Sequence, residues 1–198
     1  DAMPANKQTE TPEFRAWFQD SKVVDAQGKP LVVYHGTNRK VTVFEPVWKQ
    51  LDRIMKPYEK TDGGSMQRYY EIAKSEPEMH FFTEDEGIAE GYADQSGEPN
   101  VIPAYLKLEN PAIDDTRDRG SRDRAIDAML ANGNDGAIFW DTSVSGRYSH
   151  HSYVVRSSTQ IKHATENRGS FDPTNPDIRF SRASTSEAVS LRAARDGF

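Results

Sequence analysis

The chain has no cysteine, so disulfides, a Cys-ligated zinc site and a cysteine nucleophile are all excluded. It also lacks any apolar run near the roughly 18–20 residues that a membrane-spanning helix needs. No secretory signal pattern opens it, and no internal repeat divides it. An excess of positive charge is missing too. The formal net charge of −6 argues against a protein built mainly to coat nucleic acid, though it leaves room for one nucleic-acid contact. Apolar residues are modest in number, 35% against 28% charged, which suits a single core with large exposed loops. At 198 residues, one domain with a tail is the expectation. Zero cysteine suits a cytosolic protein and an envelope-crossing one equally, so the compartment stays open.

What the sequence does contain is organised around Leu31-Val32-Val33-Tyr34-His35-Gly36-Thr37. The apolar run reads as a buried strand, too short for a helix. It delivers His35, Gly36 and Thr37 at its end. Glycine lets backbone approach a ligand closely, and His and Thr add side-chain hydrogen bonds. A small-molecule cradle and an ordinary strand-end histidine both fit this tripeptide by itself.

Residues 1–10 are polar and are expected to fray. Thr11-Pro12-Glu13 is a helix start, a capping residue followed by Pro at the first helical position. Phe14, Trp17 and Phe18 then share one face and should pack on the domain. Ser21 to Val24 and Leu31 to Tyr34, separated by turn residues 25–30, predict a hairpin ending at His35. Residues 45–80 show no sustained period and hold Gly63-Gly64, Trp48, Tyr58, Tyr69 and Tyr70, the mark of a long loop that is either functional or mobile. Met79 to Thr83 predicts a short strand. Thr83 and Glu86 fit a capping box that opens a helix over about 84–94, with Ile88, Ala89 and Tyr92 on one side. Strands are predicted over Val101–Leu108, Gly136–Trp140, Tyr153–Val155 and around Thr159–Lys162. Residues 112–124 read as a solvated mixed-charge face, and a helix over about 121–131 ends at Gly133. From Glu166 onward the composition turns to a wrapping loop and then a linker.

Short strands interleaved with two or three helices suggest an α+β domain. The ordered motifs carry a resemblance. Val-Val-Tyr-His-Gly-Thr is followed by Phe-Phe-Thr and a helix with Ala and Tyr, then by Tyr-Leu-Lys-Leu-x-Asn-Pro and Asp-Gly-Ala-Ile. Tyr-Val-Val, Gln-Ile-Lys and Gly-Ser-Phe-Asp-Pro-x-Asn-Pro-Asp-Ile-Arg-Phe-Ser complete the order. This series, over about residues 13–182, resembles the ADP-ribosyltransferase domain of phage and mobile-element polyvalent proteins and related bacterial toxins. It is similar to the His-Tyr-Glu branch that includes diphtheria toxin and the poly(ADP-ribose) polymerases. The resemblance implies a split, strongly bent β-sandwich with NAD, the substrate, in its cleft. It implies that His35 holds the adenosine-side ribose and that the Gly36 backbone pairs with the nicotinamide carboxamide, with Thr37 adjoining. It further implies that Phe81-Phe82-Thr83 and Tyr92 bracket the nicotinamide. The polymerases use two tyrosines eleven positions apart, and here that spacing gives Phe81 and Tyr92.

The sequence departs from the family at the third member of the triad. Ser152 stands where a Glu is expected at the start of a late strand, just after His150 and His151. Gln160 is the alternative if the register slips. On extended backbone the two lie about 26 Å apart, so both cannot serve one site. Ala89 stands where the polymerases place a Ser on the carboxamide. Chain elongation leans on the missing Glu, so the resemblance implies single transfer of ADP-ribose to a macromolecular acceptor. Protein is favoured over RNA or DNA as that acceptor. An NAD glycohydrolase and a catalytically dead NAD-binding or interaction module are the rival readings. No metal is expected, since His150 and His151 would point apart in a strand. No membrane partner is expected. An immunity protein or a larger parent polypeptide would be the partner, and a bacterial or host cytoplasm the site of action after delivery. The expected organisation is a leader over 1–10, the transferase-like domain over 11–182 and a linker or tail over 183–198.

Overall fold

A computed structural model describes residues 5–45, 78–93, 98–142, 149–167, 169 and 171–179. The long stretch with Trp48, Tyr58, Tyr69 and Tyr70 and the tail over 183–198 lie outside the described residues.

The chain opens on helix α1 (Ala5–Gln8), so part of the stretch expected to fray forms a helical turn, and Gln8 is buried. Helix α2 (Pro12–Phe18) starts as its sequence demands. Thr11 is extended, and its hydroxyl accepts the Phe14 amide at 3.1 Å, with Pro12 in the first turn. Phe14, Trp17 and Phe18 are buried against Tyr105, Ala164 and Phe171. Edge-on contacts of Phe14 with Tyr105 and Phe171, both with ring centroids 5.0 Å apart, tie α2 to the sheet and to the C-terminal loop.

The predicted hairpin before His35 is not a two-strand element. Val24 and Pro30 form an isolated bridge around a turn closed by Asp25, whose carboxylate accepts the Gln27 and Lys29 amides at 2.9 Å. Pro30 carries no amide proton, so the ladder cannot extend through it. The strand itself, β1 (Val33–Thr37), begins two residues later than Leu31.

Six more strands follow: β2 (His80–Thr83), β3 (Asn100–Leu106), β4 (Ala112–Asp114), β5 (Gly136–Thr142), β6 (Ser149–Val155) and β7 (Ile161–His163). They form one sheet in the order β4-β5-β6-β2-β1-β3-β7. All neighbours are antiparallel except β4 and β5, which helix α4 (Ser121–Asn132) joins as a parallel crossover. The three-residue β4 falls inside the stretch read as a solvated charged face. Its apolar signal is too short to stand out, and Arg124 holds it through Asp114 at 2.7 Å. Gly133 ends α4 in the left-handed conformation, φ 67°, and its amide reaches the Met129 carbonyl. Helix α3 (Glu86–Ala93) is capped differently from the expected box. Asp85, not Thr83, accepts the Ile88 amide at 3.1 Å, while Thr83 Oγ1 accepts the Asp85 amide at 3.1 Å.

This is a mixed, α+β architecture with an apolar cluster on each face of the sheet. Met79, Ile126, Met129, Phe139 and Val154 pack under α4, while Val33, Ile102, Leu106, Val155 and Ile178 fill the opposite face. Ile178 closes the second cluster from the C-terminal loop, with its amide on the Thr42 carbonyl at 2.9 Å.

One seam in the sheet is weak. β1 and β2 pair only at Tyr34–Thr83, whereas β1 pairs with β3 along its whole length. Continued register would set Phe82 opposite His35 and Phe81 opposite Gly36, but the pairing stops. The sheet opens there, and a cleft forms.

Candidate active site

The cleft encloses about 430 Å³, within the usual range for small-molecule sites. β1 contributes Tyr34, His35 and Gly36, and β2 contributes Phe81, Phe82 and Thr83. Ala89 and Tyr92 come from α3, Arg122 from α4, Asp141 from β5, and His150 and Ser152 from β6.

His35 sits where the strands part. Its Nδ1 lies 2.8 Å from the Phe81 carbonyl, which can only accept, so Nδ1 carries the proton. The imidazole thus takes the ladder position that β1 backbone gives up. Its ring packs edge-on to Phe44 at 5.0 Å and tilted on Phe82 at 5.4 Å. Burial lowers its pKa, the Phe81 bond opposes that and Arg39 adds to it. The ring is therefore neutral near pH 7, and Nε2 is left as an acceptor for a ligand hydroxyl. Behind it, His80 is pushed down to about 3, chiefly by burial and then by His35. Its aromatic packing and its carbonyl bond make His35 part of what holds the seam.

Gly36 is required for a reason other than ligand approach. A Cβ at this position would stand 1.8 Å from the Ala89 carbonyl oxygen and 3.0 Å from the Ala93 nitrogen. The glycine lets α3 lie directly on β1. That contact sets the position of Tyr92, three residues beyond Ala89 on the same helical face. Tyr92 is 64% exposed and borders the cleft from α3, while the partly buried Phe81 borders it from β2. Phe82 also reaches the lining, but it is 2% exposed and belongs to the core. Thr37 is not in the lining. It pairs with Asn100 at the strand end, and Thr83 is the threonine that lines the cleft.

Ser152 lies in the cleft, 5% exposed and directly opposite Thr83 across the β2–β6 ladder. Gln160 does not. It sits in a 3₁₀ turn (Ser158–Gln160) outside the cleft, and its amide is fully used. Oε1 accepts the Arg156 and Ser157 amides at 3.0 and 2.9 Å, and Nε2 donates to the Lys107 and Asp135 carbonyls, both at 2.9 Å. Gln160 closes the turn and stands apart from the cleft lining.

Arg122, Asp141 and His150 were not selected as site residues from sequence. Alternation along a strand puts His150 on the face of Ser152, and that signal was legible. Asp141 enters because it pairs with His150 across β5 and β6, a register no local pattern reports. Arg122 is set by the start of α4, where the buried Ser121 hydroxyl donates to the Asp114 carbonyl at 2.6 Å and accepts the Trp140 amide at 3.2 Å. His151 points to the other face, edge-on to Trp140 at 4.6 Å and 3.2 Å from Glu84. Among the described residues no group of three or more His, Cys, Asp or Glu could hold a metal ion, and no helix is long and apolar enough to cross a membrane.

A family model described as ADP-ribosyltransferase in polyvalent proteins matches residues 25–126, just over half of the chain. The chain belongs to that family, whose activity is ADP-ribosylation with NAD as substrate. No curated protein and no solved structure matches it. The matched region includes His35, Gly36, Phe81 and Tyr92 and stops short of Asp141, His150 and Ser152.

Proposed function

We propose that this domain is a mono-ADP-ribosyltransferase that moves ADP-ribose from NAD to a macromolecular acceptor and releases nicotinamide. The observation that carries the reading is the unpaired stretch between β1 and β2, where His35, Gly36, Phe81, Tyr92 and Ser152 meet around one cleft. In this reading, His35 Nε2 accepts a ribose hydroxyl. The β1 backbone beyond Tyr34, unpaired toward β2, is available to the carboxamide. Phe81 and Tyr92 flank the flat, cationic nicotinamide ring, which aromatic faces attract. Cleavage of the glycosidic bond develops positive charge on the ribose, as in glycoside hydrolysis. The protein's task is therefore to hold the ribose and present an acceptor.

Single transfer is favoured because Ser152 offers a neutral hydroxyl where chain elongation leans on a carboxylate. A protein acceptor fits the net charge of −6 better than a polyanion does. The family's description points to a larger parent polypeptide, and delivery into a bacterial or host cytoplasm is the setting in which such a modifier acts.

The deciding experiment incubates the protein with NAD labelled in its adenylate and with a bacterial lysate, followed by protease or nuclease. Label in a protease-sensitive band is the expected result. Label only in free ADP-ribose would make the enzyme a glycohydrolase, and intact NAD would make the domain a binding module.

The aromatic bracket has its own test. Tyr92→Ala is expected to weaken nicotinamide binding by about 0.5–1.5 kcal/mol, with little change in thermal stability because the ring is largely exposed. Tyr92→Phe should bind nearly as the wild type in calorimetric titration. If Phe behaves as Ala does, the hydroxyl and not the ring face is what matters.

A further inference from the structure

The charge in the cleft lies where the family pattern gives no residue a role. Among the described lining residues, Asp141 is the one carboxylate and Arg122 the one permanent cation. Asp141 stands opposite His150 across β5 and β6, and Phe139 stands opposite Ser152. Asp141 is two residues beyond Phe139 on the same face, so it is the diagonal neighbour of Ser152, with Cβ atoms roughly 7 Å apart. A group bound in the cleft can therefore face both side chains.

Resting on the transferase reading above, we propose that Asp141 is the catalytic base, the group that takes the proton from the acceptor. The bond from the ribose anomeric carbon to the nicotinamide nitrogen breaks, and its electron pair neutralises the pyridinium. The acceptor's oxygen or nitrogen forms the new bond to that carbon, and its proton passes to the Asp141 carboxylate. The pyridinium charge and the carboxylate charge disappear together, so the step balances without a further reactant.

The neighbours suit the role less well. Ser152 has a neutral hydroxyl, which cannot accept the proton near pH 7. His150 is 8% exposed, and its Nδ1 is buried with no hydrogen-bond partner among the described residues, so an acceptor arriving from solvent meets Asp141 first. Asp141 is only partly buried, and one of its oxygens is anchored by the Thr142 amide at 2.9 Å. That bond fixes the side chain and leaves the second oxygen for the acceptor. The Arg122 side chain, 51% exposed at the rim, is ion-paired with Asp123 at 3.6 Å, so its charge is already partly balanced and Asp141 is left as the lining carboxylate open to the acceptor.

D141N keeps the oxygen that takes the Thr142 amide and removes the base. General-base catalysis contributes roughly 10²–10⁴-fold, so D141N should lower label transfer at least about 100-fold while NAD affinity by calorimetry stays within about threefold. D141E, with a carboxylate on a longer stem, should retain transfer within about tenfold. Added formate should restore part of the rate to D141A. If D141N loses thermal stability, D141S, which also has an acceptor for the Thr142 amide, replaces it under the same criteria. Transfer by D141N within threefold of wild type would overturn the role of Asp141 and leave the transferase reading standing. A wild-type protein that binds NAD but neither releases nicotinamide nor labels an acceptor would overturn the transferase reading itself, and this proposal with it.

Discussion

His35→Asn is expected to lower NAD turnover about 10- to 100-fold while leaving the domain folded. The asparagine amide nitrogen can occupy roughly the place of imidazole Nδ1 and keep the bond to the Phe81 carbonyl, now 2.8 Å long. What it removes is Nε2, the only ring atom left to accept from a ribose hydroxyl. A lost hydrogen bond in a closed site, together with the substrate hydroxyl it leaves unsatisfied, costs about 1.4–2.8 kcal/mol, and each 1.4 kcal/mol is tenfold. His35→Ala should look different. It strands the Phe81 carbonyl and opens a gap between Phe44 and Phe82, so thermal stability and activity should fall together. Melting curves and nicotinamide release measured on both variants separate the two roles of the ring. Full turnover by a folded Asn variant would remove His35 from the chemistry.

The strand ending in His35 and Gly36, the helix carrying Tyr92 and the placement of Ser152 could all be read from residue order, because each rests on local pattern or on motif spacing. Two kinds of feature could not. Cross-strand register is set by contacts distant in sequence, so Asp141 came into the cleft only once β5 and β6 were paired. Arg122 was hidden for a related reason. In sequence it is one charge among several, and only the Ser121 anchor turns the start of α4 to the cleft. Gln160 shows the opposite failure. Its side chain makes four hydrogen bonds, and all four go to backbone groups around a turn. Residue type announced hydrogen bonding, and only the fold determined to what.

Gly36→Ala is expected to cost about 3 kcal/mol or more, beyond the usual range of added-methyl strain. Overpacking typically costs about 1–3 kcal/mol when side chains can shift to make room. Here the added carbon would stand 1.8 Å from the Ala89 carbonyl oxygen and 2.8 Å from its carbonyl carbon, both backbone atoms. Backbone cannot rotate aside, so α3 must lift off β1 or β1 must leave its ladder with β3. The second choice breaks pairing along all five residues from Val33–Ala104 to Thr37–Asn100, so the helix should move. Tyr92 moves with it, and the stack on nicotinamide goes before the sheet does. The variant should therefore melt well below the wild type and, at temperatures where it is still folded, bind nicotinamide more weakly than Tyr92→Ala does. Gly91, where an added Cβ meets nothing within 4 Å, is the control. Alanine there should stabilise α3 slightly through helix propensity. If Gly36→Ala melts with the wild type, the contact between α3 and β1 is not what requires glycine. The requirement would then return to the ligand.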